Sequence, residues 1–224
     1  MTSPPLKPAF QLIVFDLDGT LVDSRRDIAE SANAALVACG AQPLSEEALG
    51  RMVGDGAPKL IARAFAAAGV QRPADALDRF LTIYDGRLLS HTRPYAGIPE
   101  LLDQLGRRAS LAVLTNKPLA AAHRILVGLD LARYFPPERV VGGDGPFPRK
   151  PDPAGLAHLM ASAGVSADAT VLVGDSVVDW RTAGAATTRV VLARYGFGWE
   201  GFPIEKLDAD AWVVDSPAEM LAYL

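Results

Sequence analysis

Short, continuous apolar runs recur along the chain, and stretches of helical periodicity separate most of them. The runs are Gln11 to Phe15, Ser110 to Leu114, Arg139 to Val141, Thr170 to Val173, Arg189 to Ala193 and Ala211 to Val214. A strand that is apolar at every position is covered on both faces. Helical patterns over 97–107, 118–128 and 153–163 lie between the runs, so the strands join into a parallel sheet with helices on both faces. Residues 24–92 break the rhythm. They contain no convincing strand, and the spacing predicts helices near 25–39, 45–53, 57–68 and 74–90. Ile28, Ala32, Ala35 and Leu36 form one apolar helical face, and Gly40 and the segment 69–73 read as helix stops. The expected fold is α/β: a Rossmann-like three-layer core with a central parallel sheet (1–22 and 93–224) and an inserted α-helical cap (23–92). Residues 1–9 read as a loose leader.

The chain has 224 residues, enough for one sizeable core with a smaller domain attached. A net charge of -4 argues against a broad nucleic-acid surface but leaves room for a local basic site that takes a small anion. The single cysteine, Cys39, cannot form an internal disulfide and lies in an Ala-rich helical stretch, where it reads as a packing residue in a reducing, cytoplasmic setting. The first 19 residues are interrupted by three prolines, and their short apolar run Leu12 to Phe15 leads directly into acidic residues, so they read as neither signal peptide nor anchor; no stretch of about 18 apolar residues appears elsewhere.

Four segments at strand ends or helix starts carry chemistry. Directly after the first apolar run comes Asp16-Leu17-Asp18-Gly19-Thr20. Side chains two apart on an extended segment point the same way, so Asp16 and Asp18 can share a pocket; their repulsion calls for a cation or a shared proton, and Mg²⁺ suits oxygen ligands. Leu114-Thr115-Asn116-Lys117 ends the second core strand and brings the Thr115 hydroxyl to the edge where parallel sheets bind ligands, although a threonine there also serves as a cap. Arg149-Lys150-Pro151-Asp152-Pro153 holds an ammonium on a loop stiffened by two prolines. Gly174-Asp175-Ser176-Val177-Val178-Asp179 adds two carboxylates; Asp175 is placed to reach a metal, and Asp179 either faces the same site or complements a helix N-terminus. Together these segments offer the nucleophile, acid/base, metal ligands and fixed donors that phosphoryl transfer requires.

The combination of DxDGT, a strand-end hydroxyl, a lysine and GDSxxD resembles the haloacid dehalogenase-like superfamily over nearly the whole chain. The stretches DSRRDIAESANAAL, VGDGAPKL, LAVLTNKP, GGDGPFPRKPDP and VGDSVVDW resemble bacterial phosphoglycolate phosphatases. The resemblance implies that Asp16 attacks phosphorus and forms an aspartyl-phosphate, and that Asp18 protonates the leaving alkoxide and then activates water. It implies that Thr115, Asn116 and Lys150 hold the phosphoryl group. Mg²⁺ would be bound by Asp16, the main-chain carbonyl of Asp18, and Asp175, with Asp179 supporting. The presence of Asp18 favours phosphate esters over a dehalogenase reaction.

The expected partner is a small phosphorylated metabolite, with no nucleic acid or membrane partner, acting on a monomer or homodimer. If it is 2-phosphoglycolate, its carboxylate needs donors; the loop Gly54-Asp55-Gly56-Ala57-Pro58-Lys59 offers main-chain N–H groups, with Lys59, Arg63, Arg25 and Arg26 as further cations. A sugar-phosphate or nucleotide phosphatase, or a phosphomutase, fits the same motifs. A phospho-accepting signalling module fits less well, because such modules are shorter and lack an inserted lid. His91, His123 and His158 fall outside the motifs and read as surface or packing residues, and Tyr195 to Phe202 reads as a loop.

Overall fold

A computed structural model of the chain describes residues 10–200, 202–207 and 211–224; the expected leader at 1–9 lies outside them. Among the described residues, six strands form one parallel sheet: β1 (Leu12–Phe15), β4 (Ser110–Leu114), β5 (Val140–Val141), β6 (Thr170–Gly174), β7 (Arg189–Ala193) and β8 (Trp212–Val214). Their spatial order is β5-β4-β1-β6-β7-β8, which places β1 in the middle. Successive side chains on a strand face opposite ways. Ile13 and Phe15 therefore pack into one core with Val113, Val171, Val173 and Val191. Leu12 and Val14 pack into another with Ala112, Leu114, Leu172 and Leu192. Two separate cores, one per face, explain why the runs are apolar at every position. Helices α5 (Ile98–Leu105) and α6 (Leu119–Gly128) contribute Leu101, Leu102, Leu105, Ile125 and Leu126 to the first core. Helices α7 (Ala154–Ala163) and α8 (Val177–Ala185) contribute Leu156, Leu159 and Ala183 to the second.

Between β1 and α5 lie four helices: α1 (Arg25–Ala38), α2 (Glu46–Gly50), α3 (Ala57–Ala67) and α4 (Ala76–Asp85). The Ser45 side chain caps α2 by accepting from Ala48 N at 3.1 Å. Gly56, at φ +91°, and Pro58 open α3. Two of these helices are shorter than their sequence periodicity suggests. α2 has five residues, and α4 ends at Asp85 before a run of turns. Two two-residue strands, β2 (Val22–Asp23) and β3 (Arg93–Pro94), pair antiparallel at the base of this helical block. They depart from the strand-free expectation because two residues carry no readable alternation. Beside this ribbon, fully buried Asp27 accepts from His91 N, Thr92 N and Thr92 Oγ1 at 2.8 to 3.0 Å. His91 is thus a packing residue, as expected. Cys39 is half-buried against the first core and unpaired.

Candidate active site

The parallel register determines which residues meet. Phe15 is level with Val113 on one side and Val173 on the other. The next residues along each strand are Asp16, Leu114-Thr115 and Gly174-Asp175, so all arrive at one carboxyl edge, where open α/β sheets bind ligands. Asp16 N donates to Val173 O at 2.8 Å and Thr115 N donates to Val141 O at 2.9 Å, extending the ladder into the site.

Lys150 sits within this acidic group. Its Nζ lies 2.9 Å from Asp16 Oδ1 and 2.6 Å from Asp179 Oδ1, with all three residues buried. Asp179 Oδ2 accepts from Ser176 Oγ at 2.6 Å and Ser176 N at 3.2 Å, completing a capping box at the start of α8. Asp179 is therefore both a helix-capping residue and a member of the site. Asp175 Oδ2 accepts from Gly198 N at 2.7 Å, so the turn around Gly198 folds back onto the acidic group. Gly19 has φ +87°, and a Cβ there would stand 1.9 Å from Asp175 Oδ2; the turn after Asp18 tolerates only glycine for both reasons.

Burial raises the Asp16 carboxyl to about 7, against the pull of the neighbouring Lys150 ammonium, while Asp179 and Asp18 push in the same direction as burial. Burial, with Asp179 and Asp16 nearby, raises Asp175 well above the usual carboxylate range. Burial works against the Lys150 ammonium, but Asp16 and Asp179 outweigh it and hold Lys150 above its ordinary value. Asp16, Asp175 and Asp179 offer oxygens that all lie within 4.8 Å of one another, and all three are buried. Three buried carboxylates beside one ammonium leave an excess of negative charge, and an all-oxygen donor set suits a hard divalent cation such as Mg²⁺. The side chain of Asp18 is outside this set. Its two oxygens accept from Lys117 Nζ at 2.9 and 2.8 Å, and Ser24 Oγ also donates to it.

Asn116 is next to Thr115, but its side chain is committed to main chain. Its Nδ2 donates to Gly54 O at 2.9 Å and to Lys150 O at 3.0 Å, and its Oδ1 accepts from Lys150 N at 2.8 Å. The amide ties the Lys150 loop to the helical block, which gives the Asn116 side chain a structural part in the site. Gly54 and Gly56 line a cavity of about 490 Å³ between the helical block and the strand ends, together with Asp16, Asp18, Thr115 and Asn116. Asp55 and Lys59 do not line it. Lys59 pairs with Asp55 at 2.9 Å one helical turn away on the exposed side of α3, and Arg63 pairs with the same carboxylate. Arg25 is paired with Glu46 and Arg26 with Glu30. Four of the cations expected near the substrate thus face solvent and surface partners.

The cavity instead contains Lys117, to which the sequence reading gave no role. Its Nζ is buried and donates to Tyr84 OH at 2.7 Å as well as to Asp18. Only the motif LTNK hinted at it, and a lysine just past a strand end is ordinarily solvated. Ser24, Tyr84, Ser176 and Gly198 were missed as well, because each depends on an approach between distant segments.

Residues 13–193 match the family described as haloacid dehalogenase-like hydrolase. A phosphoglycolate phosphatase of Rhodospirillum rubrum is 44% identical over 206 residues, which is 88% of this chain and 84% of that protein. A phosphoglycolate phosphatase of Agrobacterium fabrum is 37% identical over 223 residues, 97% of this chain and 93% of that one. A crystal structure titled as a predicted phosphoglycolate phosphatase from Haemophilus somnus 129PT superposes with a TM-score of 0.87 at 32% identity, covering 96% of this chain and 97% of that one. The chain belongs to the haloacid dehalogenase-like hydrolases. Within them it is a phosphatase, a phosphoric monoester hydrolase. Among the described residues no helix is long and apolar enough to cross a membrane.

Proposed function

We propose that the enzyme hydrolyses 2-phosphoglycolate to glycolate and phosphate, with Mg²⁺, through a phosphoryl group carried on Asp16. One observation carries the reading: Asp16 is buried at the carboxyl edge of the sheet with Lys150 on its Oδ1, and Asp18 faces the same cavity two residues on. An Asp16 oxygen bonds to phosphorus as the ester P–O bond breaks, and Asp18 gives its proton to the departing alkoxide. Asp18 then takes a proton from a water that attacks the same phosphorus, which frees phosphate and restores the Asp16 carboxylate. The Lys150 ammonium and Thr115 hydroxyl hold the transferring oxygens. Asp16, Asp175, Asp179 and the Asp18 carbonyl would hold Mg²⁺, which supplies charge neutralisation for the incoming dianion.

The substrate is supported by the names of the relatives. The helical block 23–92 acts as a cap that excludes water during the reaction. The enzyme acts as a monomer or homodimer, and the lone half-buried cysteine suits the cytoplasm.

The test is phosphate release from 2-phosphoglycolate, hexose phosphates and nucleoside monophosphates, with and without Mg²⁺, by the wild type and Asp16→Asn. The expected result is a lead of about tenfold or more for 2-phosphoglycolate, a requirement for metal and an inactive variant. A different leading ester overturns the substrate. An active Asp16→Asn overturns the nucleophile.

A further inference from the structure

A substrate bearing a carboxylate meets a difficulty in this cavity. Three of its lining residues, Asp16, Asp18 and Asp85, are acidic, and Asp18 must approach the ester oxygen. In 2-phosphoglycolate one methylene separates that oxygen from the carboxylate, so a second anion is brought beside Asp18. Among the described residues that line the cavity, the one cation is Lys117. It lies against Asp18, with its Nζ 2.8 Å from Asp18 Oδ2 and its side chain 4% exposed. Tyr84, from α4, accepts from Lys117 at 2.7 Å. Its own O–H hydrogen has no acceptor among the described residues and remains available to the cavity.

Resting on the substrate reading above, we propose that Lys117, with the Tyr84 hydroxyl, is the specificity-determining pair that receives the substrate's carboxylate. Lys117 neutralises Asp18 and faces the adjoining anion from the same atom, while Tyr84 adds a hydrogen bond from the cap side. An ester with no anionic group beyond its phosphoryl leaves Lys117 shared between Asp18 and Tyr84 alone, whereas a carboxylate beside it gains from the same ammonium, and that gain favours the acid substrate. The assignment also accounts for why Lys59, Arg63, Arg25 and Arg26 can all be engaged elsewhere without loss of acid recognition.

The experiment compares kcat/KM for 2-phosphoglycolate and for ethyl phosphate, a two-carbon ester without the carboxylate, in the wild type, Lys117→Gln and Lys117→Arg. Taking the ratio cancels any effect that reaches both esters through Asp18. The wild-type ratio is expected to be about 100 or more, falling at least about 30-fold in Lys117→Gln and recovering to within about fivefold of wild type in Lys117→Arg. If the wild type prefers 2-phosphoglycolate and Lys117→Gln slows both esters in proportion, Lys117 only holds Asp18 and the inference is overturned while the substrate reading stands. If the wild type itself shows no preference, the substrate reading has failed, and the inference with it. Should Lys117→Gln be unfolded by circular dichroism, Tyr84→Phe serves instead: a ratio lowered by about fivefold supports the pair, and an unchanged ratio overturns it.

Discussion

Asn116 grips Lys150 by its main chain on both sides, accepting from Lys150 N at 2.8 Å and donating to Lys150 O at 3.0 Å. The lysine that touches Asp16 is therefore placed by an amide on a different loop. Asn116→Ala would leave the N–H and C=O of buried Lys150 without partners. The expected result is a loss of about 2–3 kcal/mol of stability, read by urea unfolding, and a drop in kcat of about 10- to 100-fold with KM less affected. Unchanged kcat would mean that the two prolines flanking Asp152 hold Lys150 unaided.

Among the described residues, Lys150 is the one ammonium in contact with Asp16 and Asp179. Lys150→Met removes it and leaves three buried carboxylates facing one another. Breaking a buried ion pair from one side costs about 3–5 kcal/mol, so the variant is expected to melt well below the wild type in EDTA. Mg²⁺ should recover part of that loss without restoring turnover. A thermal shift series with and without the ion checks both.

The same three carboxylates predict how the wild type responds to metal. A ligand that binds the folded state alone stabilises it by about 2.7 kcal/mol at 100 times its Kd. Mg²⁺ should therefore raise the melting temperature, and Asp175→Asn, which removes one of the clustered carboxylates, should abolish most of that rise. Calorimetry across a Mg²⁺ titration measures it; an equal rise in Asp175→Asn would place the ion elsewhere.

Much of this site was legible before any coordinates, for a physical reason. β1, β4 and β6 are covered on both faces, so nearly all their residues are apolar, and the acidic or hydroxyl residue that follows each run stands out. Asp16, Thr115 and Asp175 were found that way. The lysines show where such reading stops. Lys59 and Lys117 each follow a turn-forming stretch, and nothing local says that Lys59 meets Asp55 in solvent while α4 brings Tyr84 down over Lys117. β2 and β3 were hidden for a related reason: with two residues each and Pro94 in one of them, their pairing is enforced only by the closing of the chain around the helical block. Asp179 was legible as a choice between helix cap and site residue, and its two oxygens face different partners, Oδ2 the Ser176 cap and Oδ1 the Lys150 ammonium.

Gly19→Ala tests the closeness of the β1 turn to Asp175. The added methyl would meet Asp175 Oδ2 at 1.9 Å in a backbone conformation, φ +87°, that alanine resists. Either Asp175 leaves the carboxylate cluster or the turn carrying Asp18 shifts. Activity should fall by about 100-fold or more, with a stability loss of about 1–3 kcal/mol. Near-normal activity would show that the turn has room that the present geometry denies.

Asp27 is outside the cavity lining and joins the start of α1 to the segment that re-enters the sheet domain. It faces donors alone: His91 N, Thr92 N and Thr92 Oγ1, with His91 Nδ1 beside it at 2.9 Å. Burial pushes this carboxyl up, but the hydrogen bonds from His91 and Thr92 outweigh it and hold Asp27 below the ordinary value. A carboxylate whose folded pKa is depressed stabilises fully above the unfolded value of about 3.9, and that contribution disappears as pH falls through the lower, folded value. Asp27→Asn substitutes an NH₂ that meets donors instead of acceptors, and should cost about 2–4 kcal/mol at neutral pH. The gap in melting temperature between wild type and variant is therefore expected to stay constant from pH 7 to about 5 and to narrow below about pH 4. Melting curves of both proteins at intervals from pH 7 to 3 decide the matter: a gap that does not narrow in acid would mean that the cost comes from packing and not from the charge on Asp27.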